Sequence, residues 1–217
     1  MSTAASPVGR DGRPAELPTV RGRRTRAAID VAARSVIARK GVLATTIADI
    51  AAEAGRSAAS FYNYYDSKEA MVRQWALRFR DEANERARSV TEHGLSDRER
   101  AHAAAAAHWH TYRNRLAEVI SVSQLAMISD DFARYWAEIC EIPISFIDES
   151  VRRAQAEGYC RDDDPRLIAE AIVAMFNQFC YLQLSGPRAA EPDDRACIQT
   201  LANIYYRAIY AQGGPLN

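Results

Sequence analysis

At 217 residues, 48% apolar and 26% charged, the chain has room for one medium domain, or a small one plus a larger one, around a real core. No run approaches the ~20 apolar residues of a membrane span, and residues 1–20 lack the apolar block of a secretory signal, so a cytoplasmic chain is expected. The net charge of zero hides an asymmetry: residues 21–68 carry nine basic against four acidic side chains, and residues 69–217 carry 17 against 22. A basic head on an acidic body suits a protein that attracts phosphates with one end only.

Residues 1–20 read as a disordered arm running into Arg21-Gly-Arg-Arg-Thr-Arg26. Such a segment either lies along phosphates and the adjacent minor groove or is a solvated basic tail. A first helix is predicted from about Thr25 to Lys40, with Ile29, Ala33, Val36 and Ile37 inward and Gly41 closing it. Thr46 and Asp49 have the spacing of a capping box, after which Ile47, Ile50, Ala51 and Ala54 share one apolar face. Gly55 supplies the positive φ of a tight turn, and Ser57 caps the next short helix. That helix carries Ser60, Tyr62 and Asn63 where an apolar stripe would otherwise stand. Outward hydrogen-bonding groups of this kind suit the major groove of DNA, as in a helix-turn-helix.

Further helices follow. Ser67 opens one through Met71, Trp75 and Phe79 to about Ser89. The capping box Ser96–Glu99 opens another to about Ser123, with Trp109, Tyr112, Leu116 and Val119 or Ile120 inward. A short apolar turn, Leu125 to Ile128, precedes a helix from Phe132 to about Glu157, which Pro143 should kink and Gly158 ends. Asp164-Pro165 starts a helix to about Leu184 that is apolar on nearly every side and so needs cover on two faces. The last helix, about Asp193 to Ala211, shows Ile198, Leu201, Ile204, Tyr205 and Ile209 at helical spacing. The expected fold is all-α.

Thr46, Ile50-Ala51, Ala54-Gly55, Ser57, Phe61-Tyr62, Tyr65 and Ser67-Lys68-Glu69 resemble, without a gap over roughly 25 residues, the DNA-binding domain of TetR-type transcriptional regulators. Arg56, Phe61 and Tyr64 depart mildly from that pattern. The resemblance implies a disordered arm (1–20), a three-helix DNA-binding domain with a helix-turn-helix (21–66) and a larger helical domain for effector binding and dimerisation (67–213). By matched position Thr46, Tyr62, Tyr64 and Lys68 would contact phosphates. Arg56, Ser57, Ala58, Ala59, Ser60 and Asn63 would face the duplex, with Ser60, Asn63 and Arg56 carrying polar readout of bases. For Tyr65 packing inside the head is the preferred reading.

The same resemblance implies a homodimer on a palindromic operator in double-stranded DNA, and a repressor released by a small apolar or aromatic effector. Candidate effector residues are Trp109, Tyr112, Leu116, Met127, Trp136, Phe146, Phe176 and Asn177; each ring is pocket wall or core filler. Phe176, Phe179, Ile198, Leu201 and Tyr205 are candidates for the dimer interface, or for intrachain core. Release would come from ligand near Trp109 and Trp136 moving the fourth helix, which carries the head. Four cysteines lack Cys-x-x-Cys spacing, and His108 and His110 point to different helix faces, so neither a metal site nor a cofactor is expected. No nucleophile elbow, phosphate-binding glycine loop or carboxylate pair marks an enzyme. The alternative is a lipid- or partner-binding protein of the same fold without DNA binding.

Overall fold

The computed structural model describes residues 19–89, 94–185 and 192–210. Nine helices are found among them: α1 (Val20–Lys40), α2 (Ile47–Glu53), α3 (Ala58–Tyr62), α4 (Lys68–Ser89), α5 (Asp97–Asn114), α6 (Leu116–Ala126), α7 (Asp130–Ala156), α8 (Pro165–Ser185) and α9 (Asp194–Tyr210). The all-α expectation holds. The anticipated arm lies outside the described residues up to position 18, as does the chain beyond position 210.

The start of α1 is a correction. It begins at Val20, not near Thr25, because the Thr19 hydroxyl accepts the Gly22 N–H at 3.1 Å and caps the helix earlier. Arg21–Arg26 is therefore helix, and the Thr25 hydroxyl donates back to the Arg21 carbonyl. Ile29, Ala33, Val36 and Ile37 are buried as expected. Gly41 ends α1 at φ 77°, a backbone that favours glycine, and a Cβ there would push on the Gln124 side-chain amide 2.8 Å away. Thr46 and Asp49 form the reciprocal capping box, Gly55 takes φ 62°, and Ser57 caps α3. The Ser67 hydroxyl accepts the Ala70 N–H at 3.0 Å, and Met71, Trp75 and Phe79 of α4 are buried.

The helix expected to run from Ser96 to about Ser123 is instead two, broken at Arg115 (φ −130°, ψ 27°). The division follows from packing: α5 lies on α9 and α8, whereas α6 lies between α7 and the head helices α1 and α4. No straight helix reaches both environments. Arg115 takes the bend and pairs with Glu82 of α4. Ala117 to Val122 are buried on every side of α6, which makes it the axle between head and body. α7 carries Pro143 inside an unbroken helix, Asp130–Ala156. Asp164 caps α8 through the N–H groups of Arg166 and Leu167, as the Asp-Pro pair predicts.

For the C-terminal pair, the alternative of intrachain core is the one the single chain displays. Phe176, Ile198, Leu201 and Tyr205 are buried inside the single chain, with Phe179 partly so, and they form core between α5, α8 and α9. The exposed apolar side chains here are Leu167, Tyr181 and Leu182 on α8 and Ile204 on α9. Among the described helices, α8 is long and apolar enough to cross a bilayer by length and composition alone, although Arg166 and Glu170 interrupt its apolar run. Its inner face, Ala169, Ile172, Val173, Phe176 and Cys180, is packed within the bundle.

Candidate nucleic-acid interface

The head is built by α1 to α3 on the start of α4. Ile29, Ile37, Ile50, Phe61, Met71 and Trp75 fill its centre, and the Phe61 and Tyr65 rings meet at 5.5 Å between centroids. Tyr65 packs as preferred: its hydroxyl donates to Asp30 Oδ1 at 2.6 Å and accepts Arg26 Nε at 3.2 Å. With Phe61 as its buried anchor, α3 has the rest of its surface outside. Arg56, Ser57, Ala58, Ala59, Tyr62 and Asn63 are exposed, Ser60 and Tyr64 half-buried. Tyr62 meets the buried Phe61 ring edge-on at 5.9 Å yet is 57% exposed, so its hydroxyl end stands available.

Beside this helix a cleft of about 830 Å³ opens between α3 and the first turns of α1, lined by Arg21, Arg24, Thr25, Arg56, Ser60, Asn63 and Tyr64. It brings candidate residues into one surface with two arginines that the candidate set did not include. The signal for them was the run Arg21–Arg26; an irregular arm hid it, since only a helix fixes those side chains beside α3. Ion pairing elsewhere on the head concentrates free positive charge here. Arg39 is held by Glu53 at 3.0 Å, Lys40 by Asp49 at 2.7 Å, Arg34 by Glu118 at 2.7 Å, and Arg26 by Tyr65 and Gln74. Hydrogen bonds from Lys40 and Thr46 hold the Asp49 carboxyl well below the ordinary carboxylate range.

Two expected phosphate contacts are occupied within the chain. Lys68 Nζ donates to the carbonyls of Val42 and Thr45, both at 2.7 Å, and so clamps the α1–α2 loop instead of projecting freely. The Thr46 hydroxyl donates to Asp49 Oδ2 at 2.6 Å within the capping box.

In the body the effector candidates separate. Tyr112 and Phe176 meet around His108: the Tyr112 ring stacks on the imidazole at 5.3 Å, and Phe176 meets it edge-on at 5.3 Å. Asn177 joins them, its Oδ1 3.0 Å from His108 Nε2 and its Nδ2 3.7 Å from Cys140 Sγ. Leu116, Trp136 and Phe146 are half-buried against the same core. Trp109 is sealed, with its indole N–H donated to Asp194 at 2.9 Å, so it serves as core. Met127 is 81% exposed in the turn after α6, because that helix ends at Ala126, and it does not join the cluster. His108 is the residue the sequence reading passed over. Its place one turn before Tyr112 was visible, but the His108–His110 spacing was weighed only for metal. No cluster of metal-ligating side chains occurs among the described residues.

A family model for bacterial regulatory proteins of the tetR family matches residues 29–74. The HTH-type transcriptional repressor KstR2 of Rhodococcus jostii is 40% identical over 77 residues, 36% of this chain and 37% of that repressor. The alignment thus spans little more than a third of that relative's length. Among solved structures, a tetR-family regulatory protein from Rhodococcus RHA1 superposes with a TM-score of 0.68 at 20% identity, over 86% of this chain and 97% of the other. The regulator FadR from Bacillus subtilis, solved with stearoyl-CoA, gives 0.58 at 18% identity, over 85% of this chain and all of that one, 100%. At such identities the likeness is one of fold. It extends the agreement from the head to the helical body.

Proposed function

Through its amino-terminal domain the chain belongs to the tetR family of bacterial regulatory proteins, and on that premise we propose that it is a cytoplasmic, sequence-specific DNA-binding repressor. A homodimer sets two α3 helices into successive major grooves of a palindromic operator, and a small apolar or aromatic ligand releases it. One observation carries this reading: Arg56 to Ala59, Tyr62 and Asn63 project from a rigid three-helix head beside a cleft bearing Arg21, Arg24 and Arg56. Ser60, Asn63 and Arg56 are the polar readers of base edges, and Tyr62 and Tyr64 the phosphate contacts.

Dimerisation is assigned to the outer face of α8 and α9, not to the buried residues first expected. On α8, Leu167, Ala171, Ala174, Tyr181 and Leu182 are exposed at helical spacing; on α9, Thr200, Ile204 and Ala208 are. Small residues between larger ones allow two helix pairs to approach closely.

Two joints give a ligand a route to the head. The buried Glu118 of α6 holds Arg34 of α1, whose guanidinium also lies 4.7 Å from the centre of the Trp75 ring of α4. Gln124 of α6 accepts the Val42 N–H at 2.9 Å, just beyond α1. A ligand that displaces α6 or α4 therefore changes the angle of the head, by no more free energy than its preference between the two states.

The test is fluorescence anisotropy with the duplex upstream of the protein's own gene, read across salt. Arg24→Ala, at a cleft arginine not assigned to base edges, should weaken binding to all sequences and lower the salt slope by about one, whereas Arg56→Ala should cost about 1–3 kcal/mol and relax sequence preference. A dimeric, folded sample that shows no preference for that duplex over random DNA, with micromolar or weaker binding to both, would sink the reading.

A further inference from the structure

Tyr112 is only 5% exposed, and its hydroxyl has no hydrogen-bond partner among the described residues. Yet no described side-chain nitrogen or oxygen is both sealed from a water-sized probe and unpartnered. The Tyr112 oxygen therefore borders open space at the end of an otherwise enclosed side chain. Burial, with the Cys180 and Cys140 thiols nearby, holds the hydroxyl well above the ordinary phenol range.

His108 repeats the pattern. Burial pushes its imidazole down to about 4, although part of the residue's surface is left uncovered by packing. The imidazole is neutral near pH 7, and with Nε2–H donated to Asn177 Oδ1 its Nδ1 carries a lone pair. That atom has no partner among the described residues. Asn177 Nδ2 spends itself on a thiol at 3.7 Å, a weak acceptor, and keeps a second N–H in reserve. Two donors and one acceptor thus stand unspent in one apolar neighbourhood beside the Phe176 ring.

We propose that Tyr112, His108 and Asn177 form the polar end of the effector site, and that the effector is uncharged, with a carbonyl or hydroxyl oxygen on an apolar skeleton. Tyr112 O–H and Asn177 Nδ2–H donate to that oxygen, and His108 Nδ1 accepts from it where it carries a proton. A carboxylate fits badly: it would be buried beside a neutral imidazole with no arginine or lysine in the cluster, and an uncompensated buried charge is expensive. The inference rests on the ligand-released reading above and adds the chemistry of the ligand.

Displacement of the neutral dye N-phenyl-1-naphthylamine from the intact protein tests it, with octan-2-one and octanoate as matched competitors. The ketone should displace dye at a concentration at least tenfold lower than octanoate. Tyr112→Phe and Asn177→Leu, each checked for folding by circular dichroism, should each weaken the ketone about fivefold relative to octanoate, the worth of one hydrogen bond. Failure of the dye to enter, equal displacement by both competitors, or ketone affinity unmoved in both folded variants would overturn the proposal. Operator DNA separates the two layers. Ketone that binds through Tyr112 but leaves the DNA complex intact defeats the effector reading and leaves the polar end standing. Dye that releases DNA while the variants bind ketone as the parent does defeats the polar end alone.

Discussion

Lys68 shows how one residue's role turns on its partners. An exposed lysine at a helix start is a ready phosphate ligand, but here the ammonium bridges the Val42 and Thr45 carbonyls. Charge-assisted hydrogen bonds of this kind contribute about 2 kcal/mol, and their loss frees the loop that orients α2. Lys68→Ala should lower unfolding free energy by about that amount in urea titration while leaving the salt slope of DNA binding unchanged. A folded variant whose slope drops by about one would return Lys68 to the phosphates. His108 makes a second residue-scale prediction. Its folded pKa, about 4, lies below the ordinary 6.5, so the unfolded chain binds more protons between those values. Stability is therefore fully present above pH 6.5 and drains as pH falls toward 4, by about 2 kcal/mol between pH 7.5 and 5. Most carboxylates stay ionised over that window. His108→Gln should flatten the dependence of the unfolding midpoint on pH there, whatever it does to stability at pH 7.5. An unchanged profile in the variant would show that His108 is not the group responsible.

At the scale of elements, what was legible in the sequence was whatever short-range chemistry decides. Capping boxes at Thr46 and Ser96, the glycine turn at Gly55 and the Asp164-Pro165 start all depend on residues within four positions of each other, and all stand where expected. The α5–α6 break did not announce itself, because Arg115 is an ordinary helix former and the bend exists only to let α6 lie under α1 and α4. The α1 start was hidden for a related reason: an arginine run reads equally as tail or helix until Thr19 is seen to cap it. Site residues divide along the same line. The outward face of α3 follows from local pattern, whereas the meeting of His108, Asn177 and Cys140 joins three helices and needs the fold. The joint between α1 and α6 is asymmetric in a testable way. The Glu118 side chain is 3% exposed and that of Arg34 36%, so Arg34 alone can find water once its partner is gone. Arg34→Ala takes the close partner from a buried carboxylate and leaves it only Arg115 at 3.8 Å, and should cost about 2 kcal/mol, whereas Glu118→Gln should cost less. Chemical denaturation of both variants measures the difference. Equal costs would mean that α6 is not anchored through this carboxylate.

At the scale of the whole molecule, free cations line the mouth between α1 and α3, while α8 and α9 of the body leave Leu167, Tyr181, Leu182 and Ile204 uncovered on one pair of helices. One head gripping DNA gains little; two held at a fixed spacing engage a palindrome with one loss of rotational freedom between them. On the proposed dimer, the outer C-terminal face would set affinity at the DNA-binding heads. Leu182, 53% exposed, and Ile204, 41% exposed, are its large apolar side chains on the two helices, whereas Leu201, one turn before Tyr205, is fully buried. The combined change Leu182→Glu and Ile204→Glu should convert a dimer to a folded monomer of unaltered helical content, and weaken operator binding far more than binding to a single half-site. Leu201→Glu should instead unfold the body, since it places a charge in the core between α5 and α9. Analytical ultracentrifugation with circular dichroism on the two variants decides the matter. If the outer-face variant remains dimeric while the buried one folds and dissociates, the seam lies on the residues first expected, and α8 and α9 must turn over in the assembled dimer.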